Sequence, residues 1–168
     1  ELEADTLLCS LMLANNETGA LMPVETVGAA CRERGVIFHC DAVQAAGKLP
    51  LEFGGTAIDL LSVSAHTLHG PKGVGLLLRR RGVKLHPLVR GGGQEHGLRP
   101  GTENVASVAA LAAALRLARE GLEQGEDRAI AARRDRLEQG LLALHPTATV
   151  NGPTGPGTRL PNTSNLSF

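Results

Sequence analysis

Residues 58–75 read IDLLSVSAHTLHGPKGVG. The run IDLLSVS (58–64) is apolar on both sides of the alternation, the pattern of a strand buried on both faces. It runs into Ser64, His66 and Thr67, and then into Gly70-Pro71-Lys72-Gly73, a turn signal ahead of a second apolar run, GVGLLLR (73–79). Towards the N-terminus the same texture repeats. TLLCSLMLA (6–14) is strand-like, and NNETG (15–19) closes it with turn residues. Pro23 suits the first turn of a helix reaching Arg34, with Gly35 as its C-cap, and GVIFHC (35–40) is a further buried strand. Buried strands separated by a helix predict an α/β fold, a mostly parallel sheet with flanking helices.

Beyond Glu103 the texture changes. ENVASVAALAAALRLAREGLEQ (103–124) is rich in Ala and Leu, with Val105, Val108, Ala112, Leu115 and Leu122 near helical spacing. A second helix over Arg128–Leu144 places Ile130, Leu137 and Leu141 on one face. HPTATVNGPTGPG (145–157) is a Pro/Gly loop around one short strand, and TSNLSF (163–168) opens another. The two textures meet in the glycine-rich stretch 90–101. The expected organisation is a sheet domain over 1–100, followed over 101–168 by a helical linker and the start of a small α+β domain.

Composition narrows the function. Seventeen Lys+Arg balance seventeen Asp+Glu in 168 residues, which gives no basic face for nucleic acid. With no Trp, no Tyr and three Phe, a base-stacking platform is not expected. The three cysteines, Cys9, Cys31 and Cys40, show no CxxC spacing, which suits a reducing, cytoplasmic setting. No apolar run is long enough for a membrane span or a signal peptide. The chain starts at Glu1 without Met and stops inside an apolar run, and is expected to be a segment of a longer polypeptide.

Three polar clusters share one position, just past the C-terminal end of an apolar strand: Asn15-Asn16-Glu17, Asp41-Ala42-Val43-Gln44, and Ala65-His66-Thr67. In open parallel sheets that edge is where ligands bind. Asp41 has two readings: the partner of a pyridinium nitrogen, as in pyridoxal phosphate enzymes, or the cap of a short helix AVQAAG. Gln44 either donates to a ring oxygen or faces solvent. In an extended segment Ser64 and His66 point to one side, where two converging donors suit a phosphate; the alternative is a hydrogen-bonded loop histidine. A zinc site from His39, Cys40 and Asp41 is not expected, because adjacent strand residues point to opposite faces. Arg90-Gly91-Gly92-Gly93-Gln94-Glu95 lacks the spacing of a phosphate-cradling loop and reads as a junction needing unusual φ.

Taken together, ANNETG, FHCDAVQAAGKLP, SVSAHTLHGPKGVGLL and GGGQEHGLRPGTENVAS resemble the cysteine desulfurases of the NifS/IscS type, within the class V aminotransferase group of fold-type I pyridoxal phosphate enzymes. The likeness runs through nearly the whole chain, including the closing RLPNTSNLSF. It implies that residues 1–100 are the later part of the cofactor-binding large domain. It also implies roles. Asn16 resembles the residue near the cofactor's 3-oxygen and the substrate carboxylate, Asp41 the partner of the pyridine nitrogen, and Gln44 the donor to the 3-oxygen. Ser64, Ala65 and His66 resemble the phosphate-binding run, and Thr102 the residue that reaches the phosphate of the partner subunit in a homodimer. The position after His66 is the family's Schiff-base lysine, and here it is Thr67. That chemistry requires a primary amine, and Lys72 matches a different family lysine. None of the three cysteines matches the family's catalytic cysteine.

The resemblance therefore implies a pyridoxal phosphate-dependent conversion of L-cysteine to L-alanine. The sulfur would pass as a persulfide to an acceptor or scaffold protein for iron–sulfur cluster assembly or tRNA thiolation. This segment, with Thr67, is expected to be inactive by itself and to hold the cofactor weakly. Two alternatives stand: another class V enzyme such as a selenocysteine lyase, and a catalytically dead homologue serving as a sulfur-relay partner or dimer scaffold.

Overall fold

Each apolar run of the first eighty residues forms a strand, and the four pair into one sheet. The computed structural model describes residues 2–168. The sheet comprises β1 (Leu8–Met12), β2 (Ile37–Asp41), β3 (Leu60–Ser64) and β4 (Gly75–Arg79), in the order β1-β2-β3-β4. β1, β2 and β3 are parallel, with Met12 beside Asp41 and Asp41 beside Ser62, whereas β4 is antiparallel to β3. The exception has a physical cause. A parallel return needs a crossover of a dozen or more residues, and only residues 65–74 separate β3 from β4.

Helix α1 (Val24–Glu33) links β1 to β2 and buries Val24, Gly28 and Cys31. Gly28 lets it lie close: a Cβ there would stand 3.0 Å from the Phe38 ring. Phe38 and Cys40, fully buried, share that core with Leu61 and Val63. The opposite face is more open and polar. Ser10 Oγ meets His39 Nδ1 at 2.7 Å, and His39 Nε2 meets Ser62 Oγ at 3.2 Å, a side-chain chain crossing three strands. Leu8, Met12 and Leu77 are exposed.

After β4 the chain runs to α2 (Val105–Glu123) and α3 (Glu126–Leu144), and then to a two-stranded antiparallel sheet of β5 (Thr149–Val150) and β6 (Leu166–Ser167). Both helices form where their composition places them, but their inward faces differ from the expectation. In α2 the buried residues are Leu111, Ala114 and Gly121, while Val105 and Val108 are exposed. Leu111 and Ala114 share the core with Ala65 and Leu68, and α2 meets the turn after β3. In α3 Leu137 is exposed, and the buried residue is Glu138. Its carboxylate takes two 2.7 Å hydrogen bonds from the buried guanidinium of Arg159. A charge at that depth persists only when paired, and Arg159 lies twenty-one positions away, beyond any helical periodicity.

Candidate functional site

The parallel register brings the C-terminal ends of β1, β2 and β3 to one edge of the sheet. Asp41 is the last residue of β2, and its backbone ties the neighbouring strands: Leu13 N–H donates to Asp41 O (2.8 Å) and Ala42 N–H to Ser62 O (3.0 Å). Its Oδ1 accepts from Val43 N–H at 2.9 Å. Residues 42–47 form successive turns rather than the short helix AVQAAG, so Asp41 closes a local turn instead of capping a helix. One carboxylate oxygen is committed to that turn; the other has no such internal bond among the described residues.

Ser64 ends β3, and residues 65–68 form a single 3₁₀ turn, not the extended segment expected. The turn still joins the predicted pair, with Ser64 Oγ 2.7 Å from His66 Nδ1. His66 is exposed and Ala65 buried. The turn ends at His69 with φ 62°, a left-handed cap. An open cavity of about 590 Å³ is lined by Val63, Ser64, His66 and Gly73–Leu77. Asn16, Asp41 and Gln44 are outside its wall, on the elements that end at the same edge.

Thr67 sits inside the 3₁₀ turn, and its Oγ1 donates to Ser64 O at 2.9 Å. The hydroxyl closes the turn that presents Ser64 and His66, a role open to Thr but not to the straight chain of Lys. Asn16, exposed, lies in a turn built by Asn15, whose Oδ1 accepts from Glu17 N–H, Thr18 N–H and Thr18 Oγ1 at 2.9, 2.9 and 3.1 Å. Thr102, exposed, lies three residues before α2 begins; no hydrogen bond joins it to Ser64 or His66 among the described residues. The glycine run 91–93 has no positive φ, and the positive-φ positions of this stretch fall instead on Glu95, His96, Gly97 and Gly101, at φ 48°, 57°, 77° and 102°.

Sequence reasoning passed over Lys48. Its Nζ donates to Gln44 O (2.9 Å) and to Gln44 Oε1 (3.1 Å), and burial lowers the amine's pKa. With Lys48 donating to Oε1, the amide N–H groups of Gln44 have no hydrogen-bond partner among the described residues. The i, i+4 spacing of the two residues was the available signal.

A fold with a mostly parallel sheet, and with polar clusters at one edge, narrows the class of protein; comparison with known proteins then fixes it. The aminotransferase class-V model matches residues 1–168, and the chain belongs to that family. Among curated relatives, a cysteine desulfurase of Gluconacetobacter diazotrophicus is 52% identical over 163 residues, covering 97% of this chain and 40% of that protein. The cysteine desulfurase NifS of Azotobacter vinelandii is 48% identical over 164 residues, covering 98% of this chain and 40% of its own length. Among solved structures, a NifS-like protein superposes with a TM-score of 0.92 at 41% identity, over 99% of this chain and 45% of the other. DndA from Streptomyces lividans gives 0.88 at 40%, over 99% and 47%. The chain thus spans less than half the length of the relatives it matches. Among the described residues, no helix is long and apolar enough to cross a membrane.

Proposed function

We propose that this chain is the cofactor-holding segment of a cysteine desulfurase, acting on L-cysteine with pyridoxal 5'-phosphate and passing sulfur to an acceptor protein. The observation that carries the reading is the placement of Asp41, Ser64 and His66 at or just past the C-terminal ends of two adjacent parallel strands, within a family whose relatives carry that activity in their names. The residues present fit the cofactor's non-covalent demands. Asp41 has a carboxylate oxygen left for a protonated pyridine nitrogen, and Ser64 and His66, hydrogen-bonded to each other, offer hydroxyl and imidazole groups for a phosphate, whereas the Ala65 N–H is spent on Val74 O at 3.1 Å. Gln44 and Asn16 would hold the 3-oxygen side, and Thr102 the phosphate of a partner subunit in a homodimer. When bound, the cofactor supplies an electron sink for breaking bonds at the substrate's α-carbon. The protein's part is to keep the ring nitrogen charged, to hold the phosphate and to orient the ring.

Thr67 does not fit the covalent bond, since a hydroxyl forms no imine. It supports a second reading, a homologue that retains the pocket for assembly or sulfur relay and does not desulfurate. One substitution separates the two. In the full-length protein, Thr67→Lys should restore a covalently bound cofactor with its visible absorbance, together with release of alanine from cysteine. The Thr67 protein should bind cofactor only reversibly. Ordinary turnover by the Thr67 form would remove the role assigned to this position. Absence of covalent binding after Thr67→Lys would favour the relay reading.

A further inference from the structure

The turn that carries Asn16 is held from outside the large sheet. Leu21 N–H donates to Thr158 O and Leu160 N–H to Gly19 O, both at 2.9 Å, so residues 158–160 pair with 19–21 through an antiparallel bridge at Ala20 and Arg159. Gly19, at φ 76°, is pressed by Thr163, which stands 2.8 Å from where a Cβ would be. Asn165 Nδ2 reaches Glu17 O at 3.3 Å. Segment 158–160 is in turn clamped to α3. Arg159 makes its two bonds to Glu138, and Arg134 donates to Leu160 O at 2.7 Å. Arg159 also approaches Asp135 at 3.7 Å. The Arg159 side chain is 5% exposed and that of Glu138 8%, with Arg134 and Asp135 beside them.

A buried pair of this kind is a poor way to add stability, since apolar residues of similar volume do as well. What it offers is a fixed geometry: a two-pronged pair tolerates little rotation, and the segment that carries Arg159 contacts the site turn directly. We propose that Glu138 and Arg159 are positioning residues for the Asn15–Gly19 turn, coupling α3 to the edge of the sheet where Asn16 sits. Movement of α3 then moves Asn16, while Asp41 and Ser64, anchored within the sheet, stay in place. The consequence for a bound ligand rests on the cofactor reading above; the mechanical coupling does not.

The test compares Arg159→Met with the double variant Glu138→Met/Arg159→Met, which leaves no unpaired charge and retains a folded core. Amide hydrogen exchange on the whole chain should quicken about tenfold or more at Leu21 and Leu160 in both variants, with no change at Leu13 and Ala42 in the large sheet. Dialysis against pyridoxal phosphate should show weaker binding in the double variant, and that loss should vanish when Asn16 is already Ala. Unchanged exchange at Leu21 and Leu160 in the double variant would overturn the proposal. So would a uniform quickening through the sheet, which would mark the pair as a general stabiliser. If exchange shifts locally but the unaltered chain binds no pyridoxal phosphate, the coupling stands and the cofactor reading fails.

Discussion

Replacing Asp41 by Asn tests whether this residue holds a ligand or only its own turn. The side chain accepts one hydrogen bond, from Val43 N–H at 2.9 Å, and an Asn Oδ1 can accept the same bond. The folded state should therefore change by less than about 0.5 kcal/mol, as expected for a substitution that preserves the local contact. Ligand binding should respond very differently. A charge-assisted hydrogen bond contributes about 1.5–3 kcal/mol against about 0.5–1.5 for a neutral one, so losing the charge should weaken pyridoxal phosphate by roughly 1–2 kcal/mol. That corresponds to about a five- to thirty-fold rise in Kd. Equilibrium dialysis measures the affinity, and thermal unfolding of the same samples measures the fold. Pyridoxal phosphate that binds the Asn form as tightly as the parent would refute the pyridinium pairing and leave Asp41 as a turn closer. Asp41→Ala separates the terms further, because it should lose both the affinity and the turn.

Other consequences follow from the packing. Phe38, fully buried between α1 and the sheet, should cost about 3–5 kcal/mol when cut to Ala, read as a lower denaturation midpoint without a change in slope. Gly75→Ala would place a Cβ 2.6 Å from Val63 O, so β4 must shift beside Ser64; destabilisation of about 1–3 kcal/mol and weaker anion binding near Ser64 and His66 are expected, by denaturation and phosphate titration. The Arg159 hydrogen bonds hold the Glu138 carboxyl below its ordinary 4.5, against the opposing effect of burial. Because the folded-state value is the lower one, the stabilisation is present above the ordinary range and is lost as pH falls below it. Glu138→Gln should flatten that acid limb of the stability curve.

Local signals carried much of this protein. The apolar runs named all four strands of the large sheet, because strands buried on both faces must be apolar throughout, and glycine with proline marked their ends. Their polar continuations named Asn16, Asp41, Ser64 and His66, since polar groups at a buried strand end require partners. Thr67 was legible too, because its chemistry depends only on the residue type.

What only the tertiary structure decided is whatever depends on partners remote in sequence. The inward face of α2 is the one that shares the core with Ala65 and Leu68, so Leu111 and Ala114 are buried while the equally apolar Val105 and Val108 are exposed. Ser64 and His66 meet through a 3₁₀ turn closed by Thr67, not through strand alternation. Glu138 reads as a solvent residue until Arg159, from the loop beyond β5, arrives to neutralise it. Periodicity reports how one element meets an average interior; it holds no record of which distant side chain supplies the opposite charge or the opposing surface.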